Sequence, residues 1–181
     1  MKLRTILDGI PIRKLDGDPD VEISAVCANS QEVTPGSLFI ALKGSLHDGH
    51  DFIPEAVAKG ARAVMVEEVV PVPAEISMVL VDNTQTAQTY VGKNFFGDPA
   101  SKLKLIGITG TKGKTTTAFM TYSILKAAGF KVGLIGTIYN LVNGQKLATK
   151  NTTPASLALH QLLAEMVKAK TEYVVMEVSS H

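Results

Sequence analysis

The chain has 181 residues, 45% of them hydrophobic and 19% charged, which is apolar material enough for a real core in one domain or two small ones. A formal net charge of +1 supplies no long-range field to attract nucleic acid or an anionic membrane, and no run of like charges marks a tail. The single Cys27 cannot close an internal disulfide, charges interrupt the opening M-K-L-R-T-I-L-D-G-I before a signal-peptide core could form, and no apolar run approaches a membrane span. The expected setting is the cytoplasm, with no nucleic-acid partner and no membrane insertion.

Through the first hundred residues short strands and helices alternate. V-E-I-S-A-V and S-L-F-I-A-L read as strands. Phe52 to Lys59 places Ile53, Ala56 and Val57 at helical spacing and closes at Gly60. A-R-A-V-M-V and S-M-V-L-V-D are further strands, and Thr84 to Phe96 aligns Ala87, Tyr90, Val91 and Phe95 on one helical face. Gly97-Asp98-Pro99 then stops the helix, so the expected domains are 1–98 and 99–181.

The second half reads as a parallel α/β unit. Strand Lys104 to Thr109 runs through a Gly-rich turn into a helix from Thr115 to about Ala128, and Lys131 to Ile135 is the next strand, completing a right-handed βαβ crossover. Asn143-Gly144 predicts a small hairpin. Thr153 is expected to cap a helix with Pro154 at its first position, carrying Leu159, Leu162, Leu163, Met166 and Val167 to about Lys170. Tyr173 to Val178 is a last apolar strand, delivering Glu177 into Ser179-Ser180-His181. Three parallel strands are few for an open nucleotide-binding sheet, so the chain is expected to be the front part of a longer enzyme.

The most specific signal is L-K-L-I-G-I-T-G-T-K-G-K-T-T-T, residues 103–117. Backbone N–H groups of a turn spanning Gly110, Thr111, Lys112, Gly113 and Lys114 can cradle phosphate oxygens. A helix N-terminus carrying about half an elementary positive charge would aim at the same anion. Lys114 is the candidate catalytic cation reaching the outer phosphates, and Thr115, followed by Thr116, is placed to ligate Mg²⁺. The strict pattern wants glycine where Ile108 stands, so this is a variant phosphate loop.

Three further constellations carry chemistry. A carboxylate at the tip of an apolar strand beside a phosphate loop commonly contacts the Mg²⁺ that bridges nucleotide phosphates, which makes Glu177 a metal candidate, with His181 able to join it. Asn151-Thr152-Thr153-Pro154 is a helix start that also presents anion-binding groups. Asn29-Ser30-Gln31, T-P-G-S-L-F-I-A-L-K-G and Ser45-Leu46-His47-Asp48-Gly49-His50 offer a loop suited to hydrogen bonding a flat ring, whereas H-x-x-H without a third His or Cys is a poor zinc site.

Taken together, N-S-Q with P-G-S-L-F-I-A-L-K-G and D-G-H-D, then G-I-T-G-T-K-G-K-T-T-T, N-T-T-P and M-E-V-S-S-H resemble, in order and along the whole chain, the Mur ligases of bacterial peptidoglycan assembly. The resemblance implies a small α/β uridine-nucleotide-binding domain followed by the first part of a P-loop, parallel-sheet ATPase domain. N-T-T-P and E-V-S-S-H together resemble the member that adds the third stem-peptide residue, meso-diaminopimelate or L-lysine, to UDP-N-acetylmuramoyl-L-alanyl-D-glutamate; the sister that adds D-alanyl-D-alanine is the alternative.

By position, the resemblance implies that Ala28, Ser30, Ser45, Leu46 and His47 hold the uridine diphosphate end of the substrate. It puts ATP on Gly110 to Thr116, the muramoyl peptide on Asn151, Thr152, Thr153 and Ser179, and Mg²⁺ on Glu177. Its partners would be UDP-N-acetylmuramoyl-dipeptide and an amino acid, and the protein a monomer. The family usually has D-S-R where Asn29-Ser30-Gln31 stands, and Asn in place of Lys112. Residues 1–181 alone are expected to bind pieces of substrate and catalyse nothing. A regulatory nucleotide switch would predict N-K-x-D or D-x-x-G, and neither occurs. A non-catalytic nucleotide-binding module remains the other alternative.

Overall fold

Three uninterrupted apolar runs of the first half form strands too hydrophobic to face water on either side, as expected of parallel strands covered on both faces. They are β3 (Ser37–Ile40), β4 (Ala63–Val66) and β5 (Ser77–Val81), and every residue in them is buried. In this computed structural model, which describes residues 1–44, 47–142, 144–149 and 152–179, the chain divides into two compact units, Met1–Phe95 and Phe96–His181.

The sheet of the first unit has the order β1-β5-β4-β3-β2, with β2 at Ala25–Cys27. All neighbours are parallel except the edge strand β1 (Ile12–Asp16), which runs antiparallel to β5. Strand β1 reads I-R-K-L-D and is mostly exposed, so it carries none of the apolar patterning that announces a strand. Helix α1 (Leu3–Ile6) is one short turn and likewise has no sequence signature. The strand expected over V-E-I-S-A-V is shorter than its pattern: only Ala25–Cys27 pairs in the sheet, while Glu22 bridges Lys2. Helix α2 (Ile53–Ala58) is capped by Lys59 and ends before Gly60, and helix α3 (Thr84–Phe95) follows β5. Phe39, Ala56, Val64, Met78 and Leu80 are among the residues of this unit's core.

In the second unit β6 (Lys104–Ile108) leads to α4 (Lys114–Ala127), then β7 (Val132–Ile135). The hairpin β8 (Asn140–Val142) and β9 (Gln145–Leu147) is next, followed by α5 (Ser156–Lys168) and β10 (Tyr173–Glu177). The sheet order is β6-β10-β7-β8-β9, and β10 is parallel to both of its neighbours. The expected β6-α4-β7 crossover therefore does not join adjacent strands: the last strand of the chain inserts between the first two. Among the described residues no helix is long and apolar enough to cross a membrane.

One helix start differs from its sequence signal. Helix α5 begins at Ser156, its N-cap is Ala155 with no side-chain cap, and Pro154 stands outside the helix. Thr153 caps nothing because its hydroxyl is engaged elsewhere, at the end of β10.

Candidate functional site

The register of the second sheet fixes the site. Glu177 lies opposite Ile108 and Met176 opposite Ile135, so the carboxyl ends of β6, β10 and β7 finish side by side. Ligands of open parallel sheets bind at this edge. From β6 the chain turns through Thr109 to Gly113 and enters α4 at Lys114, with Gly113 as N-cap at φ +80° and no side-chain cap. The first backbone N–H groups of α4 are thus left without a capping oxygen, which is what an anion needs at a helix N-terminus. Lys114 Nζ donates to Gly110 O at 2.7 Å, so the ammonium is held back over the mouth of the loop.

Glu177 is 0% exposed, and a carboxylate so placed requires donors. Thr115 Oγ1 donates to Glu177 Oε2 at 2.9 Å, Thr137 N to Oε1 at 3.0 Å and Thr137 Oγ1 to Oε2 at 3.1 Å. The sequence-derived pair Thr115 and Glu177 is therefore in direct contact. Mg²⁺ takes hard oxygen ligands, carboxylates among them. Both are hard oxygen donors, and the Thr115 proton points at Glu177, leaving its lone pairs for a cation. The pair fits Mg²⁺.

The Asn-Thr-Thr-Pro segment joins the same edge. Thr152 Oγ1 lies 3.1 Å from Thr137 Oγ1. Thr153 Oγ1 donates to Glu177 O at 3.0 Å, accepts from Ser179 N at 3.0 Å and lies 3.1 Å from Ser179 Oγ. Thr152, Thr153 and Ser179 are thus assembled around the last residues of β10. Thr111, Lys112 and Thr116 belong to the loop and the first turn of α4, while Asn151 and His181 lie outside the described residues.

Thr137 and Gly136 were not signalled by the sequence. T-I-Y-N after an apolar strand looks like an ordinary loop, and only the return of β10 beside β7 brings Thr137 onto the carboxylate. Gly136 is there because a Cβ at that position would stand 2.4 Å from Glu177 Oε1.

The first unit carries a second concavity of about 330 Å³, lined by Ala28, Ser30, Phe39, His47, Phe52 and Glu55 among others. Asn29 caps the 3₁₀ turn Ser30–Glu32 by accepting from Gln31 N at 3.0 Å. This is a role an aspartate would fill equally, so its amide here costs the turn nothing. Ser45 and Leu46 lie outside the described residues.

Among the described residues, Asp48, His50 and Glu68 come close enough together to suggest a metal centre. The hydrogen bonding argues otherwise. His50 Nδ1 lies 2.6 Å from Asp48 Oδ1, and Nε2 accepts from Glu67 N at 3.0 Å. The Nδ1 position then carries the proton and the Nε2 lone pair is spent, so neither nitrogen is left for a metal. Glu67 in turn accepts from Thr84 N and Thr84 Oγ1 at 2.8 and 2.9 Å, tying the end of β4 to the start of α3. The histidine is a strut between loops.

Residues 22–93 match the model of the Mur ligase family catalytic domain, and residues 108–181 match that of the Mur ligase middle domain. The chain belongs to the Mur ligases. Over its whole length it is 43% identical to the UDP-N-acetylmuramoyl-L-alanyl-D-glutamate–2,6-diaminopimelate ligase of Clostridium perfringens, covering 37% of that protein. It is 44% identical to a ligase of the same name from Clostridium acetobutylicum, covering 38% of it. The chain thus spans a little over a third of the length of these relatives.

Among solved Mur ligases, MurF from Acinetobacter baumannii superposes with a TM-score of 0.67 at 28% identity, over 98% of this chain and 35% of that one. A 2,6-diaminopimelate ligase structure shares the fold with a TM-score of 0.75 at 23% identity, over 100% of this chain and 36% of that one. MurF from Thermotoga maritima, solved in complex with ADP, gives a TM-score of 0.58 at 25% identity, over 87% of this chain and 32% of that one.

Proposed function

We propose that this Mur ligase sequence supplies the uridine-nucleotide-binding domain, residues 1–98, and the first part of the ATP-binding domain, residues 99–181, of a cytoplasmic, monomeric enzyme of peptidoglycan precursor synthesis. That enzyme joins 2,6-diaminopimelate, the amino acid in its relatives' names, to UDP-N-acetylmuramoyl-L-alanyl-D-glutamate. The observation that carries this reading is the direct bond between Thr115, at the head of the phosphate loop, and the buried Glu177. Around that pair stand Thr152, Thr153 and Ser179, which are the peptide-contacting positions in this reading.

The chemistry needs no protein nucleophile. The γ-phosphoryl of ATP passes to the D-glutamate side-chain carboxylate, giving an acyl phosphate and ADP. The incoming amine attacks the acyl carbon, and phosphate leaves as the amide forms. What the protein provides is position and charge: loop amides between Gly110 and Thr116 on the phosphates, Lys114 on the outer phosphate oxygens, and Thr115 with Glu177 as ligands for Mg²⁺. Held there, Mg²⁺ would neutralise phosphate charge.

The test is an assay of the complete protein for phosphate release dependent on ATP, Mg²⁺, UDP-N-acetylmuramoyl-L-alanyl-D-glutamate and 2,6-diaminopimelate, with L-lysine and D-alanyl-D-alanine as competing acceptors. Turnover with diaminopimelate alone is expected. Residues 1–181 should show none, and turnover by them would refute the division of labour proposed here. Turnover of the complete protein only with D-alanyl-D-alanine on a tripeptide substrate would assign it to the sister activity.

A further inference from the structure

The pocket of the first unit has one wall whose hydrogen-bond polarity is fixed. Ser30 is 7% exposed, and its hydroxyl donates to Glu55 Oε2 at 2.8 Å. The other carboxylate oxygen, Oε1, accepts from Lys59 Nζ at 2.7 Å, and the same ammonium donates to Ser30 O at 3.1 Å. Serine side chain, glutamate, lysine and serine main chain thus close a ring. It is made possible by Glu55 and Lys59 standing four residues apart on one face of α2 and its cap.

A serine hydroxyl has one proton and two lone pairs, and an ionised carboxylate can only accept. Lys59 first, and then the Ser30 hydroxyl, hold the Glu55 carboxyl below its ordinary range, so it is charged at neutral pH. The Ser30 proton is therefore committed to Glu55, and what the hydroxyl presents to a ligand is lone pairs. A group that meets Ser30 must bring its own hydrogen.

We infer that Glu55 and Lys59 are positioning residues that hold Ser30 as an obligate acceptor, so that the pocket selects a pyrimidine carrying an imide N–H, as uracil does, over one with a bare ring nitrogen, as in cytosine. This deepens the proposed function and rests on its reading of the pocket as the uridine diphosphate site. Uracil offers a donor at N3. Cytosine offers an acceptor there, and two lone pairs would face each other across the contact. Leaving such a polar pair unmatched once the ligand has displaced water costs on the order of 1–2 powers of ten in affinity.

Replacing Glu55 by glutamine reverses the polarity without changing the shape. Lys59 requires an acceptor and takes the amide oxygen, which turns the NH₂ towards Ser30. The hydroxyl then accepts from the introduced amide and donates into the pocket, the arrangement cytosine prefers. Titration calorimetry of the 181-residue chain with UDP and with CDP reads this directly. The wild-type chain is expected to favour UDP by about tenfold or more, and Glu55→Gln to bring the ratio close to one while thermal unfolding shows the fold retained. A ratio that survives Glu55→Gln overturns the inference. If that variant does not fold, Ser30→Ala replaces it: loss of the preference supports the role of Ser30 as acceptor, and an unchanged ratio overturns it. A wild-type chain that binds neither nucleotide removes the uridine reading of the pocket itself, a different result from an unmoved ratio.

Discussion

Gly136 has room for no side chain. An added Cβ would meet Glu177 Oε1 at 2.4 Å, and that carboxylate cannot swing aside because it is fully buried and held by Thr115 and by both donors of Thr137. Gly136→Ala is therefore expected to move the carboxylate and lower kcat of the complete enzyme by about 10²-fold, the usual effect of an ångström-scale misplacement. UDP binding by the first unit should be untouched; steady-state kinetics beside UDP titration checks both halves, and an unaltered kcat would mean Glu177 has no part in the reaction. A second residue-scale prediction concerns Asp48. Its carboxyl is held below the ordinary value, first by the His50 backbone N–H and then by the His50 ring. A depressed folded pKa contributes stability that is whole above the unfolded value, about 4, and is lost as pH falls through the folded one. Asp48→Asn should thus destabilise the chain more at about pH 7 than at about pH 3, on either side of that value, measured by urea unfolding; equal losses at both pH values would show that the charge is irrelevant. Sequence legibility at this scale followed chemistry that is local. Lys114, Thr115 and Glu177 could be named because a loop, a helix start and a strand tip each have their own signature. Thr137 could not, since its partner Glu177 is 40 positions away.

Among the elements, the loop into α4 depends on the backbone more than on side chains. Gly113 has φ +80°, a conformation that costs a residue with a Cβ about 1–2 kcal/mol, and nothing lies within 4 Å of where that Cβ would be. Gly129, which follows the other end of α4, has φ +91° and the same open surroundings. Gly113→Ala and Gly129→Ala should therefore lose similar stability, about 1–2 kcal/mol each, for the same backbone reason. Only Gly113→Ala should weaken binding of ADP, because in the proposed reading it is the amides of that turn that hold phosphate. Chemical unfolding and nucleotide titration of the two variants separate the effects, and a nucleotide defect in Gly129→Ala would show that helix stability rather than loop shape governs affinity. The buried strands β3, β4 and β5 were legible as continuous apolar runs, α2 and α3 by their helical period and stop signals, and α4 by the Gly-rich turn that precedes it. Strand β1 was not, because its exposed edge position removes the need for an apolar pattern. The start of α5 was misplaced for a different reason: Thr153 has the composition of a cap, but the end of β10 competes for its hydroxyl and wins.

For the molecule as a whole, the order β6-β10-β7 could not be read from the chain, since no local pattern says that the last strand enters between the first two. That insertion is nevertheless what creates the proposed nucleotide site, by setting Glu177 between the Gly-rich loop and Thr137. The two units bury separate apolar clusters, the first unit around Phe39, Val64 and Met78, the second around Leu134 and Val175 and, separately, around Met166 and Val174. Each candidate site described above is built from the residues of a single unit. A ligand that binds only the folded form of one unit stabilises that unit by about 2.7 kcal/mol at a hundred times its dissociation constant, whatever the other unit does. Calorimetry of residues 1–181 is therefore expected to resolve a transition that rises with UDP and another that rises with ADP and Mg²⁺. Ser30→Ala should blunt the first shift and spare the second, and Lys114→Ala the reverse. If both ligands raised one shared transition, and either variant abolished both shifts, the sites would not be separable and the assignment of UDP to the first unit and ADP to the second would fall.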